Sequence, residues 1–300
     1  MGQAPSIPAA TGGIPAAGTQ PKRGERPIGA ILIDAGRLTL EDAERILRLQ
    51  REQGLRFGEA ATQLGVLTGA DIAFALSRQF DYPYLLRGES AVSEDLVAAY
   101  DPFSPQVEAL RTLRSQLMLR WFDTELERKA LAIVSAGRGE GRSFIAANLA
   151  VVFSQLGEHT LLIDADMRNP CQHKLFGLEN RVGLSGLLAE RCGTEAIQRI
   201  PALLDLSVLP AGAGPPNPSE LLARPLFSQL LQELGKEFDV ILLDTPAAAE
   251  TGDAQTVIMR AGAALIVVRK NATRMSQVRD IADTTTQASA TVVGTVLNEF

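Results

Sequence analysis

Cysteine and histidine are scarce in this chain. Its 300 residues hold two cysteines, Cys171 and Cys192, and two histidines, His159 and His173. No CxxC pair or metal-ligand spacing joins them, which argues against a zinc site. So few cysteines fit a reducing compartment. No apolar run approaches the about 20 residues that cross a bilayer. Positive charge is not in excess: Lys and Arg number 29 against 35 Asp and Glu, a net charge of -6. That balance gives no electrostatic reason to expect nucleic acid as a partner. The first residues lack a basic segment followed by an apolar core, so they do not read as a secretory signal. What remains is 46% hydrophobic and 21% charged, ordinary for a soluble globular protein. The length suits two domains.

Residues 1–25 are rich in Pro, Gly and Ala. Such composition cannot build a core and predicts a disordered tail. The opening "MGQAPS" formally fits a myristoylation pattern, but that pattern is short and common by chance.

Two stretches then align without a gap at an offset of 29: "PIGAILIDAGRLTLEDAERILRLQ", residues 27–50, and "RFGEAATQLGVLTGADIAFALSRQ", residues 56–79. Gly29 matches Gly58, Gly36 matches Gly65, and Leu38-Thr39 matches Leu67-Thr68. In each copy an apolar stretch ends at a glycine suited to positive φ. Thr39 with Asp42, and Thr68 with Asp71, then take the N-cap and N3 places of a helix, an acidic variant of the capping box. Two such units can bury their apolar faces against each other.

This layout resembles the MshEN domain of type II secretion and pilus ATPases, a twin 24-residue motif. Several such domains bind cyclic di-GMP, so the resemblance implies a dinucleotide site at Arg56, Gly29 and Gly58. The sequence departs from the motif at three places. Pro27 replaces the leading arginine of the first copy, Arg37 replaces an aliphatic residue, and Ala61-Thr62 replaces a bulky pair. A small adaptor domain that docks a partner is the other reading of residues 26–86. Residues 87–104 carry polar residues and prolines and read as the linker to a second domain, 105–300.

From Leu131 onward, apolar runs alternate with amphipathic segments. The runs are 131–135, 160–164, 206–210, 239–244, 264–268 and 291–297. This pattern predicts an α/β fold, a parallel sheet with helices on both faces, preceded by a small, mainly helical domain. Ligands in such sheets sit at the carboxyl ends of the strands. There the sequence places "SAGRGEGRSF", residues 135–144. It has the glycine spacing of a phosphate loop between strand and helix, with Gly137, Gly139, Glu140, Gly141, Arg142, Ser143 and Phe144 as the nucleotide-binding stretch. It is a deviant loop, because Ala136 replaces the first glycine and Arg142 the lysine. "LLIDADMR" sets Asp164 and Asp166 at the next strand end, and "VILLDTP" sets Asp244 at a third. Paired carboxylates there can hold Mg²⁺ or accept a proton.

These three motifs in order, with "EALRTLRSQL", "AANLA", "PNPSELL" and "GTVLN", resemble the cytoplasmic domain of bacterial tyrosine kinases of the polysaccharide chain-length type. The EpsG-like variety is the nearest in pattern. The resemblance implies ATP and Mg²⁺ as cofactors, Asp164 as catalytic base, and Arg142 on the transferring phosphoryl group. It further implies Ser143, Asp166 and Asp244 at the metal, Asn298 near adenine, and self-association through Glu108, Arg111 and Arg114. It implies a cytoplasmic protein held at the inner membrane by a co-polymerase partner, without inserting itself. The family's usual C-terminal tyrosine cluster has no counterpart here: the tyrosines are Tyr82, Tyr84 and Tyr100. Phosphorylation is therefore expected at one of these or on another protein. A non-catalytic nucleotide-binding regulator is the rival reading. A partition-type or cell-division ATPase fits less well, since such proteins carry a lysine where Gly137 stands and lack "PNPSELL".

Overall fold

Gly36 (φ 68°) and Gly65 (φ 65°) adopt the left-handed backbone that a side chain resists. Each ends a short helix and turns the chain into a longer one. In the computed structural model, which describes residues 26–79, 84–124 and 128–299, the short helices are α1 (Ile28–Asp34) and α3 (Phe57–Gln63), and the long ones α2 (Leu40–Gln53) and α4 (Gly69–Gln79). The starts of both pairs differ by the 29-residue offset of the repeat. Thr39 Oγ accepts the Asp42 N–H at 3.1 Å, and Thr68 Oγ accepts the Asp71 N–H at 3.3 Å, as the capping pattern requires. The copies exchange partners: α1 packs on α4, and α2 on α3. Their core contains Leu32, Leu38, Ile46, Ala61, Leu67 and Ala75. Arg37, the departure from the aliphatic pattern, pairs with Asp71 at 3.0 Å and lies over the Phe74 ring. The expected disordered tail, residues 1–25, and Tyr82 lie outside the described residues.

The chain divides into two compact units between Tyr82 and Pro83, and the segment read as a linker belongs to the second unit. It forms α5 (Val97–Tyr100), followed by α6 (Pro105–Leu117). The buried side chain of Asn148 explains the difference: its Oδ1 accepts the Ala98 N–H at 2.9 Å, while its Nδ2 donates to Phe144 O. Gln155 Nε2 donates to Ala98 O. Leu96, Ala98, Ala99 and Tyr100 are buried beside them. Small side chains at 98 and 99 let α5 lie close to its neighbour, a feature that composition alone does not reveal.

The remaining elements are β1 (Ala130–Ser135), α7 (Arg142–Ser154), β2 (Thr160–Asp164), α8 (Gln172–Leu175), α9 (Leu184–Leu188), β3 (Gln198–Arg199) and β4 (Leu206–Leu209). They continue with α10 (Pro218–Ala223), α11 (Pro225–Leu234), β5 (Val240–Asp244), α12 (Asp253–Ala261), β6 (Ala263–Arg269), α13 (Met275–Gln287) and β7 (Thr291–Asn298). The strands form one sheet, ordered β3-β4-β2-β5-β1-β6-β7. Every pairing is parallel except β3 with β4. All six expected strands are present, and β3 is an addition.

Alternation along the strands sorts the core into two layers. Leu131, Ile133, Leu162 and Leu242 pack with α6 and α7. Ala132, Val134, Ile163 and Leu243 pack with α10, α11 and α12. The same alternation directs Ser135, Asp164 and Asp244 toward the α7 side, where the glycine loop lies.

Candidate nucleotide site

The loop between β1 and α7 owes its shape to Gly139 (φ 70°) and Gly141 (φ 89°), both left-handed. Gly141 stands just before α7, whose first turn offers unpaired N–H groups and positive potential. Glu140 braces the loop from within. Its carboxylate accepts the Gly137 N–H at 3.0 Å and the Thr273 hydroxyl at 2.5 Å. Arg269 donates to Gly139 O, and Asn298 Nδ2 donates to Glu140 O at 3.1 Å. Asn298, implied near adenine, thus holds the loop backbone from the end of β7. Arg138 pairs with Glu250 across the outside of the loop. Phe144 is half-buried and packs on the α6 and α7 layer.

Three carboxylates converge beside the loop. Asp164 and Asp244 are cross-strand neighbours in the β2–β5 register, and both are fully buried, with Asp166 5% exposed. Asp164 accepts the backbone N–H groups of Cys171 and Gln172, each at 3.0 Å, and that of Asp166. Burial, and next the charge of Asp244, hold its carboxyl well above the usual range. Burial also raises Asp244, against the opposing pull of Arg142 and of hydrogen bonds from Gln172 and Ser143. Asp166 accepts the N–H groups of Arg168 and Asn169.

Arg142 turns toward these carboxylates. Its Nε donates to Asp244 Oδ1 at 3.2 Å, its Nη1 to Ser135 Oγ at 2.9 Å, and its Nη2 to Asp166 Oδ2 at 3.5 Å. Asp164 receives none of these bonds.

Several participants have no signal in the sequence. Gln172 Nε2 bridges Asp244 Oδ2 at 2.7 Å and Ser143 O at 3.1 Å. Only the fold brings residue 172 back to the mouth of β5. The neighbouring Cys171 thiol is pushed up to about 12, first by burial and then by Asp244, so it stays protonated and is no nucleophile. Arg168 pairs with the buried Asp253 at 2.8 Å and donates to Ser219. This ties "DMR" to "PNPSELL" and gives both motifs a place at the same rim.

The three residues expected to mediate self-association are placed differently. Glu108 and Arg111 pair with each other at 3.2 Å on α6. Arg114 instead donates to Val152 O at 2.7 Å and so fastens α6 to α7. In the first unit, Gly58 lies 3.2 Å from Ile72, and Gly29 lies 3.2 Å from Phe57, measured from where a Cβ would stand. Both glycines therefore permit close helix packing. Arg56 and Gly58 also line an open groove of about 720 Å³ with Phe57, Ile72 and Leu76.

A glycine loop at a helix N-terminus, with Ser143 and two carboxylates beside it, fits the nucleotide and Mg²⁺ of P-loop NTPases. A family model described as "ParA: NUBPL iron-transfer P-loop NTPase" matches residues 127–299. The tyrosine-protein kinase YwqD of Bacillus subtilis is 34% identical over 70% of this chain and 87% of its own. The putative tyrosine-protein kinase CapB of Staphylococcus aureus is 36% identical over 66% of this chain and 86% of its own. The kinase domain of the Escherichia coli tyrosine kinase ETK superposes with a TM-score of 0.65 at 33% identity, covering 68% of this chain and 79% of that one. By its sheet, its three strand-end motifs and these relatives, the chain belongs to the bacterial tyrosine-protein kinases, within the P-loop NTPases.

Proposed function

We propose that the protein is an ATP-dependent protein-tyrosine kinase that regulates exopolysaccharide polymerisation, chain length and export. The observation that carries this reading is the division of labour among the buried carboxylates. Asp166 and Asp244 are bound to a cation, whereas Asp164 is not, and its raised proton affinity suits a base. Mg-ATP, when bound, supplies the γ-phosphoryl group together with metal charge on its oxygens. Gly137, Gly139 and Gly141 keep the loop backbone open to phosphate, and Ser143, Asp166 and Asp244 would hold the metal. Asp164 takes the proton of the attacking tyrosine hydroxyl. Arg142 orients the phosphates as a planar fork.

A second reading, a nucleotide-binding regulator without phosphoryl transfer, draws support from the bonds that already engage Arg142. Incubating the full chain with labelled ATP and Mg²⁺, while tracking phosphotyrosine and free phosphate separately, decides between them. Phosphotyrosine that forms and disappears in Asp164→Asn supports the kinase. Binding without either product supports the regulator.

The EpsG-like resemblance suggests that the protein works at the inner-membrane face with a membrane polysaccharide co-polymerase, and that copies associate through Glu108 and Arg111 with Arg114 behind them. Among the described residues no helix is long and apolar enough to cross a membrane. The MshEN-like first unit is proposed to take cyclic di-GMP in the Arg56 groove, whose volume suits a small molecule. Calorimetric heat that Arg56→Ala removes supports this. No heat leaves a protein-docking role.

A further inference from the structure

The inward oxygens of two of the three carboxylates are already taken. Asp244 gives Oδ2 to Gln172 and Oδ1 to Arg142. Asp166 gives Oδ1 to the backbone at 168 and 169 and Oδ2 to Arg142. The guanidinium reaches Asp244, Asp166 and Ser135 with three different nitrogens and is itself only 9% exposed. A buried charge held this way is compensated, and buried carboxylates without it would not be. A divalent ion held at Asp166 and Asp244 would compete with Arg142 for the same two carboxylates.

We propose that Arg142 is the resident counter-cation of this cluster, and that its guanidinium and a divalent metal exclude one another at Asp166 and Asp244. This rests on the nucleotide-site reading but concerns the cation alone. Metal enters only when Arg142 swings out, for which incoming phosphates offer a new partner. Without nucleotide the wild-type cluster has no use for Mg²⁺. Nucleotide that draws Arg142 away and metal that replaces it at Asp166 and Asp244 therefore each favour the binding of the other.

The test compares thermal melting of the full chain and of Arg142→Met, each with EDTA or with millimolar Mg²⁺ and no nucleotide. The wild type is expected to melt at the same temperature in both. Arg142→Met should melt about 5–10 °C lower in EDTA and recover most of that loss with Mg²⁺. A wild type stabilised by Mg²⁺ alone overturns the proposal. So does an Arg142→Met protein that Mg²⁺ does not rescue, including one that fails to fold in its presence. Calorimetry of ADP on the wild type adds an independent arm: a tightening of about tenfold or more by Mg²⁺ is expected, and affinity in EDTA within about threefold of that in Mg²⁺ counts against it. Absence of ADP binding in both buffers would instead sink the nucleotide-site reading, while the melting comparison would still decide the cation question.

Discussion

Asp164 and Asp244 stand opposite each other in the β2–β5 register, yet they are compensated differently. Asp244 is bound by the Arg142 guanidinium and the Gln172 amide. Among the described residues, Asp164 is bound by backbone N–H groups alone, from residues 166, 171 and 172. A pair of buried carboxylates whose environments diverge is the usual basis for dividing acid–base work from charge binding.

Asp164→Asn is therefore expected to lower phosphoryl transfer by about 10²–10⁴ while leaving nucleotide affinity within a few-fold. Single-turnover kinetics alongside calorimetry check this. A parallel loss of affinity would show that Asp164 binds ligand and is not a base.

The raised proton affinity of Asp164 also has a sign in stability. Burial and then Asp244 favour its protonated form in the folded protein. The associated stability is fully present below the unfolded value of about 3.9 and is lost as pH rises through the higher folded value. Melting temperature measured from about pH 4 upward should carry this decline, and Asp164→Asn should flatten it. Superimposable profiles for the two proteins would contradict the assignment.

Arginine in place of the loop lysine keeps charge but changes shape. Ground-state contacts set affinity, whereas rate depends on contacts that strengthen as charge moves. Arg142→Lys is expected to raise turnover by up to about 10²–10³ with little change in affinity, and Arg142→Ala to reduce both. A steady-state rate for Arg142→Lys no higher than wild type would mean that the loop is adapted to arginine.

Tyr100 is a poor phosphate acceptor. It is 3% exposed, and its hydroxyl donates to Val92 O at 2.5 Å. A phosphate there would bury about two negative charges. Phosphopeptide mass spectrometry should find Tyr100 unmodified, and Tyr100→Phe should cost about 1 kcal/mol in chemical denaturation. Modification at Tyr100 in folded protein would require α5 to open.

The sheet was legible because parallel strands buried on both faces leave uninterrupted apolar runs, as "TLLID" and "VILLD" do. The two-residue β3 has no such run. The glycine loop and its three aspartates were visible as strand-end motifs. Gln172 was not, since its place beside Asp244 arises from the path of the chain between β2 and α8. The segment 87–104 misled because its prolines and polar residues resemble a linker. Its attachment depends on two backbone groups of Ala98, held by Asn148 and Gln155, and backbone groups leave no trace in composition. Arg142 could be recognised as unusual from sequence, but its bonds to Asp166 and Asp244 could not.

The exchanged packing of the first unit has a mechanical consequence. Because α1 rests on α4 and α2 on α3, with only a smaller contact between α3 and α4 inside the second copy, most of the packing of each copy is supplied by the other. A fragment ending after the first copy has half of two interfaces and none complete. The duplication is thus interlocked rather than tandem, and damage to Ala61 in one copy is felt by Ile46 in the other through their shared core.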